Sequence, residues 1–272
     1  MATVNILLLR TAGTNCDREL AHAFTLAGEG AAHVQALHIN ALLADPSHLA
    51  SFHILGFPGG FSYGDDIASG KILANQLIHH LKQPLQQFIA DGKLVIGICN
   101  GFQVLVKSGL LPGPLPQLEP TDWHPTTLTH NHSGKFEDRW STCRSYSSLC
   151  KWIGPGRTLA LPVAHGEGRF VTRDETVLAT LQQNDQIVFR YVDPATGNPT
   201  HQFPENPNGS VDAIAGICDI TGRVLGLMPH PERISDPLNH PLFSRNGRVN
   251  ADGLELFQTA IRYVREHQTV AV

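Results

Sequence analysis

The chain has 272 residues, 42% of them apolar and 16% charged, with a formal net charge of −4. That content allows a sizeable core and argues against disorder; with no long basic run a nucleic-acid partner is not expected, and no stretch approaches the roughly 20 apolar residues of a membrane span. Five cysteines, at 16, 99, 143, 150 and 218, form no CxxC pair, which fits a reducing cytoplasm better than a secreted disulfide framework.

The opening MATVNILLLR has no basic start and no small-residue cleavage site, so residues 4–9 read as a first strand and not as a targeting signal. After the turn-rich AGTNCD, Leu20, Phe24 and Ala27 recur at helical spacing, with Gly28 as the stop. Residues 32–37 form a weaker strand, and residues 52–57 a third that runs into Pro58-Gly59-Gly60. One long helical pattern follows through Ile72, Leu73, Leu77, Leu81 and Phe88; residues 93–98 are a fourth strand, and a helix over 103–107 ends near Gly109. This alternation implies βαβ units, a parallel sheet with helices on both faces, and a site outside the carboxyl ends of the strands. Three loops qualify: AGTNCD, PGGFSYGDD and CNG.

Beyond about residue 119, short β-prone runs broken by Gly, Pro and Asn indicate antiparallel strands, with residues 213–218 and 223–228 as a hairpin around DITG. The last strand ends in Pro229-His230-Pro231-Glu232, and an amphipathic helix through Leu254, Phe257, Ile261 and Val264 closes the chain. No repeat or linker is evident, so residues 1–272 read as one α/β domain: a mostly parallel central sheet flanked by helices, with a smaller antiparallel portion in the second half.

The strongest local signal is Gly97-Ile98-Cys99-Asn100-Gly101, where a buried strand ends at a cysteine and a helix begins. Only glycine leaves room for the close backbone approach on either side of such an elbow, and the helix N-terminus favours a thiolate. A thiol nucleophile needs a base, and the base an orienting group. Among 15 histidines, His230 follows an apolar strand and stands two residues before Glu232. The prolines at 229 and 231 should keep this stretch extended, so that imidazole and carboxylate emerge on one side. Backbone N–H groups of Gly59 or Gly60, with that of Asn100, are candidate oxyanion donors. Of the remaining cysteines, Cys16 alone lies in a loop near the strand ends. No HExxH or comparable ligand spacing points to a metal. The run Gly64 to Ile72 superficially suggests a phosphate loop, but its spacing is one residue too long and Ile72 stands where Ser or Thr would bind magnesium.

The strings GTNCDRE from Gly13, GFPGGFSYGDD from Gly56, GICNGFQVLVKSGLLPG from Gly97, AHGEGRF from Ala164, PENPNGSVDAIAGI from Pro204 and GLMPHPER from Gly226 together resemble the class I, triad-type glutamine amidotransferases. Within them the chain is most similar to the glutaminase subunits that feed a synthetase of purine biosynthesis. The resemblance implies a Cys99–His230–Glu232 triad and a role for Gln103 in holding the glutamine side chain. It also implies transfer of ammonia to a separate, larger synthetase subunit, in some members with a further small subunit. There ATP and magnesium would support conversion of formylglycinamide ribonucleotide to formylglycinamidine ribonucleotide, and this chain itself would carry no cofactor. An amidotransferase serving another acceptor and a catalytically silent regulatory subunit remain alternatives at this point. A cysteine peptidase fits less well, because no histidine lies within twenty residues after Cys99.

Overall fold

The computed structural model describes residues 3–119, 124–246 and 252–267. The first part runs β1 (Val4–Arg10), α1 (Asp17–Gly28), β2 (Ala32–His38), α2 (Ile39–Ala44), β3 (Ile54–Phe57), α3 (Lys71–Gln76), α4 (Lys82–Ala90), β4 (Leu94–Ile98) and α5 (Asn100–Lys107). β1, β3 and β4 are near-continuous apolar runs because helices cover both faces of a parallel sheet. β2, at the sheet edge, is instead half exposed. α1 buries Leu20, Ala23, Phe24 and Ala27, and Phe24 meets Phe257 edge-to-face at 4.8 Å between ring centroids, a geometry worth about 0.5–1.5 kcal/mol beyond the buried area. The helix ends at Gly28 as expected, and the cap that follows is Glu29 in the left-handed conformation, at φ 46°.

The long helical pattern after PGG is broken. A wide π-type turn, Leu77–Leu81, separates α3 from α4. Pro84 is the physical reason, since its ring has no N–H to continue the ladder and clashes with the carbonyl four residues back.

The second part comprises β5 (Thr126–Thr129), β6 (Glu137–Ser145), β7 (Thr158–His165), β8 (Arg169–Thr172), α6 (Glu175–Gln183), β9 (Ile187–Tyr191), β10 (Ile214–Cys218), β11 (Val224–Leu227), α7 (Phe243–Asn246) and α8 (Leu254–His267). Among the described residues, nine strands form one sheet in the order β2-β1-β3-β4-β11-β10-β9-β6-β7, while β5 and β8 make a separate antiparallel pair. β2 through β11 are parallel neighbours; from β10 onward the pairing is antiparallel. The antiparallel portion therefore extends the parallel sheet edge to edge. The hairpin around DITG is present: Asp219 accepts from Val224 N–H at 2.9 Å and from the Thr221 hydroxyl at 2.6 Å, with Gly222 at φ 71°. β6 and β7 are longer than the short runs expected, and α6 is an addition to the expected elements. Its start is specified by Asp174, whose side chain accepts from Val177 N–H. Apolar side chains from both parts form one continuous buried cluster.

Two adjacencies place the site. β4 and β11 are hydrogen-bonded parallel neighbours, with Ile98 opposite Leu227, so the loops leaving their carboxyl ends emerge side by side. β7, last in the strand order, curls back over those ends, where the Pro162 carbonyl accepts from His230 N–H at 2.8 Å. No helix among the described residues is long and apolar enough to cross a membrane.

Candidate active site

Cys99 sits between β4 and α5 with φ 51° and ψ −106°, a left-handed conformation that a non-glycine residue holds only under local strain. The flanking glycines explain how the turn closes. A Cβ on Gly101 would lie 2.0 Å from the Phe57 carbonyl oxygen, and one on Gly97 would lie 2.6 Å from the Gly101 carbonyl oxygen. Cys99 N–H donates to Leu227 O at 2.8 Å, and the sulfur lies 3.6 Å from Ala164 O.

His230 and Glu232 are buried, and Nδ1 lies 2.6 Å from Glu232 Oε1. The pairing expected of them is present, but not by the expected route. Pro231–Arg233 is a single 3-10 turn, not extended chain; proline at its first position suits a tight turn as well as a strand. The turn folds the carboxylate back onto the ring. Burial opposes charge on His230, but the Glu232 carboxylate and then the Cys99 sulfur outweigh it, and the imidazole pKa is held well above its ordinary value. Nε2 is buried and makes no close hydrogen bond among the described residues.

The two glycines of PGG divide their work. A Cβ on Gly59 would meet His230 Cε1 at 2.8 Å, Cys16 Sγ at 3.1 Å and Cys99 Cβ at 3.5 Å. Gly59 thus lines the space between the sulfur and the imidazole. Gly60, at φ 133°, instead packs on the first loop, where a Cβ would lie 2.7 Å from Asn15 N and from Gly13 O. Asn100 is the first residue of α5, so its N–H has no intrahelical partner. Its side chain accepts from Ser62 N–H at 3.2 Å and donates to Asp65 at 3.1 Å and to Gln103 Oε1 at 3.0 Å. Gln103 in turn donates to Glu167 O at 2.6 Å. Its amide therefore ties α5 to the loop after β7.

The sequence assigns no individual role to several residues at the site, although AHGEGRF and PGGFSYGDD contain two of them. Glu167 accepts from Ser69 N–H at 3.3 Å and faces Lys107 Nζ at 3.5 Å, while Ser69 Oγ donates to Asp65 at 2.9 Å. Burial raises Asp65 and lowers Lys107. The segment carrying Asp65 is strained, with Tyr63 at φ 56°, Asp65 at 55° and the β-branched Ile67 at 74°. This is the run with the superficial look of a phosphate loop; here it is engaged with Asn100 and Glu167.

His165, at the end of β7, is buried, and burial pushes its pKa down to about 4. Asn131 Oδ1 lies 3.1 Å from its Nδ1 and accepts from Gly168 N–H at 2.9 Å; Asn131 Nδ2 donates to His165 O at 2.7 Å. Asn208, from PENPNGS, reaches its Nε2 at 3.5 Å and Tyr191 at 3.2 Å. The string AHGEGRF was the one available hint to this loop, whose Ala164 and Glu167 carbonyls meet Cys99 and Gln103.

Cys16 Sγ, a ring nitrogen of His230 and a carboxylate oxygen of Glu232 lie within 4.8 Å of one another. These are suitable donors for a soft divalent cation, but Arg233 donates to the Cys16 sulfur at 3.1 Å. A fixed guanidinium charge on one donor disfavours a cation there.

The comparisons with known proteins agree over nearly the whole chain. The profile of the CobB/CobQ-like glutamine amidotransferase domain matches residues 3–264. The chain is 43% identical to phosphoribosylformylglycinamidine synthase subunit PurQ of Dehalococcoides mccartyi, over 98% of this chain and 100% of the relative. It is 42% identical to the PurQ subunit of Methanococcus maripaludis, over 95% and 96% of the two chains. A chain in the structure of PurLQS from Thermotoga maritima superposes with a TM-score of 0.69 at 28% identity, covering 96% of this chain and 99% of that one. On these grounds the chain belongs to the CobB/CobQ-like glutamine amidotransferase family.

Proposed function

We propose that the chain is the glutaminase subunit of a phosphoribosylformylglycinamidine synthase. It hydrolyses glutamine through a Cys99 thioester and delivers ammonia to a separate, larger ATP-dependent synthetase subunit, which converts formylglycinamide ribonucleotide to formylglycinamidine ribonucleotide. The observation that carries this reading is the meeting of a strained elbow cysteine with a buried His230–Glu232 pair across Gly59. Full-length likeness to PurQ subunits supports the choice of acceptor.

In this reading Cys99 attacks the side-chain amide carbon as the thiolate. The N–H groups of Asn100 and Gly59 face the oxygen that becomes negative. His230, as imidazolium, gives its proton to the departing nitrogen, which leaves as ammonia and leaves a γ-glutamyl thioester. The now neutral ring takes a proton from water; the hydroxide attacks the thioester carbon, and glutamate departs from the regenerated thiolate. Glu232 orients the ring and supports its charge in both halves, and the covalent route splits one difficult cleavage into two easier ones. Gln103 and Asn100 hold the Glu167 loop over the amide pocket. ATP and magnesium act on the partner subunit, and a cytoplasmic setting suits five free cysteines.

The test is a Cys99→Ala variant reconstituted with the synthetase subunit. Glutamine-supported synthesis is expected to fall by at least about a thousandfold, while ammonium-supported synthesis persists. Surviving glutamine-supported turnover in the variant overturns the assignment.

A further inference from the structure

One buried sulfur at the site has no part in the chemistry above. Cys16 stands at the start of α1 and its N–H donates to Gly59 O at 3.3 Å. Its side chain shares the hollow beside Gly59 with the His230 ring and Cys99. The thiol proton is directed away from the ring, donated to Asn15 Oδ1 at 3.1 Å, while Arg233 Nη2 donates to the sulfur at 3.1 Å. These two contacts fix the orientation of the sulfur and leave it able to act only as an acceptor toward His230.

We propose that Cys16 is a positioning residue for His230: its sulfur, oriented by Asn15 and Arg233 and within 4.8 Å of a ring nitrogen, is the acceptor toward which Nε2–H, without a close partner among the described residues, turns in the imidazolium, and this keeps the ring facing Cys99. The inference rests on the reading of Cys99 and His230 as nucleophile and base. Glu232 anchors Nδ1 alone, and a ring held by one bond can still swing about it. A second acceptor removes that freedom. Sulfur suits the task because it is a weak acceptor, so it steadies the ring without retaining the proton needed by the leaving nitrogen. The titratable and charged groups facing His230 are Glu232 on its own turn, Cys99 at the start of α5, Cys16 at the start of α1 and His165 at the end of β7. Arg233 acts through Cys16 and has Glu19 at 3.8 Å from its guanidinium.

The experiment compares wild type, Cys16→Ala, Cys16→Ser and Cys99→Ala, each assembled with the synthetase subunit. For Cys16→Ala, kcat for glutamine hydrolysis should fall about ten- to a hundredfold, with KM held within about twofold because Cys16 is not proposed to touch substrate. Without the acceptor the imidazolium loses its proton more easily, so the alkaline limb of kcat/KM should move to lower pH. Cys16→Ser, which restores an acceptor, should recover most of both. If Cys16→Ala fails to fold, Cys16→Val keeps the volume, removes the acceptor and carries the same expectation. An inactive Cys99→Ala beside a Cys16→Ala (or Cys16→Val) enzyme of unchanged kcat and unshifted limb overturns the positioning role and leaves the nucleophile in place. An active Cys99→Ala overturns both.

Discussion

The parallel strands β1 to β4 and the antiparallel strands β6, β7 and β9 belong to one sheet, yet they serve the site differently. The parallel part presents Cys99 and Gly59 on tight turns at strand ends, each dictated by a few adjacent residues. The antiparallel part contributes through carbonyls and buried amides: Pro162 O on His230 N–H, Ala164 O near the sulfur, and Asn131 and Asn208 around His165. The parallel part sets where Cys99 is; the antiparallel part sets what surrounds it.

The largest effect should come from the turn itself. Gly101→Ala drives a methyl against the Phe57 carbonyl, in backbone that cannot yield without moving β3. Overpacking of this kind costs about 1–3 kcal/mol or more, so a drop in melting temperature together with loss of glutaminase activity is expected. A variant with wild-type melting and activity would break the claim that local backbone geometry governs this half.

A smaller effect is expected at His165, in the antiparallel half. Its folded pKa, about 4, lies below the ordinary 6.5, so the fold holds the neutral ring. The stability it contributes is fully present above pH 6.5 and is lost as pH falls from there toward 4. The linkage amounts to about 3 kcal/mol at most. Urea denaturation across this window should show a steeper decline for wild type than for His165→Gln. His53, also lowered by burial, is present in both and cancels. Parallel slopes in the two proteins would remove His165 from the account.

The smallest effect serves as the control. Asp174→Ala removes the cap of α6, a helix that makes no hydrogen bond to Cys99, His230 or Glu232 among the described residues, and should cost about 1 kcal/mol with glutamine hydrolysis unchanged. A change in kcat would show that the antiparallel half couples to the site through more than its carbonyls.

The same contrast accounts for what could be read from the sequence. β1, β3 and β4 are legible because burial on both faces leaves unbroken apolar runs. Cys99 is legible because its two glycines are neighbours in the chain. The His230–Glu232 pair is legible by proximity, although a tight turn and not extended chain makes it. Asn131 and Asn208 are not legible, since their partner His165 lies 34 and 43 residues away and single polar residues have no periodicity. α6 could have been found from Asp174 and the acidic Glu175 ahead of Val177 and Leu181, but at nine residues its apolar spacing is short. Apolar spacing alone overextends the helix from α3 to α4, because it persists through Pro84 while the hydrogen-bond ladder does not.

Neighbouring strands lie about 4.8 Å apart, and this spacing, rather than the length of the intervening chain, brings the exits of β4 and β11 together. β4 and β11 act as a fixed ruler: Cys99 follows the last paired residue of one, and His230 leaves the end of the other. Lengthening or trimming a connection between α5 and β10 that touches neither Pro162 nor the loop from Ala164 to Glu167 leaves both exits where they are. Insertions elsewhere in that interval should therefore leave glutamine hydrolysis intact, whereas insertions beside Ala164 should not.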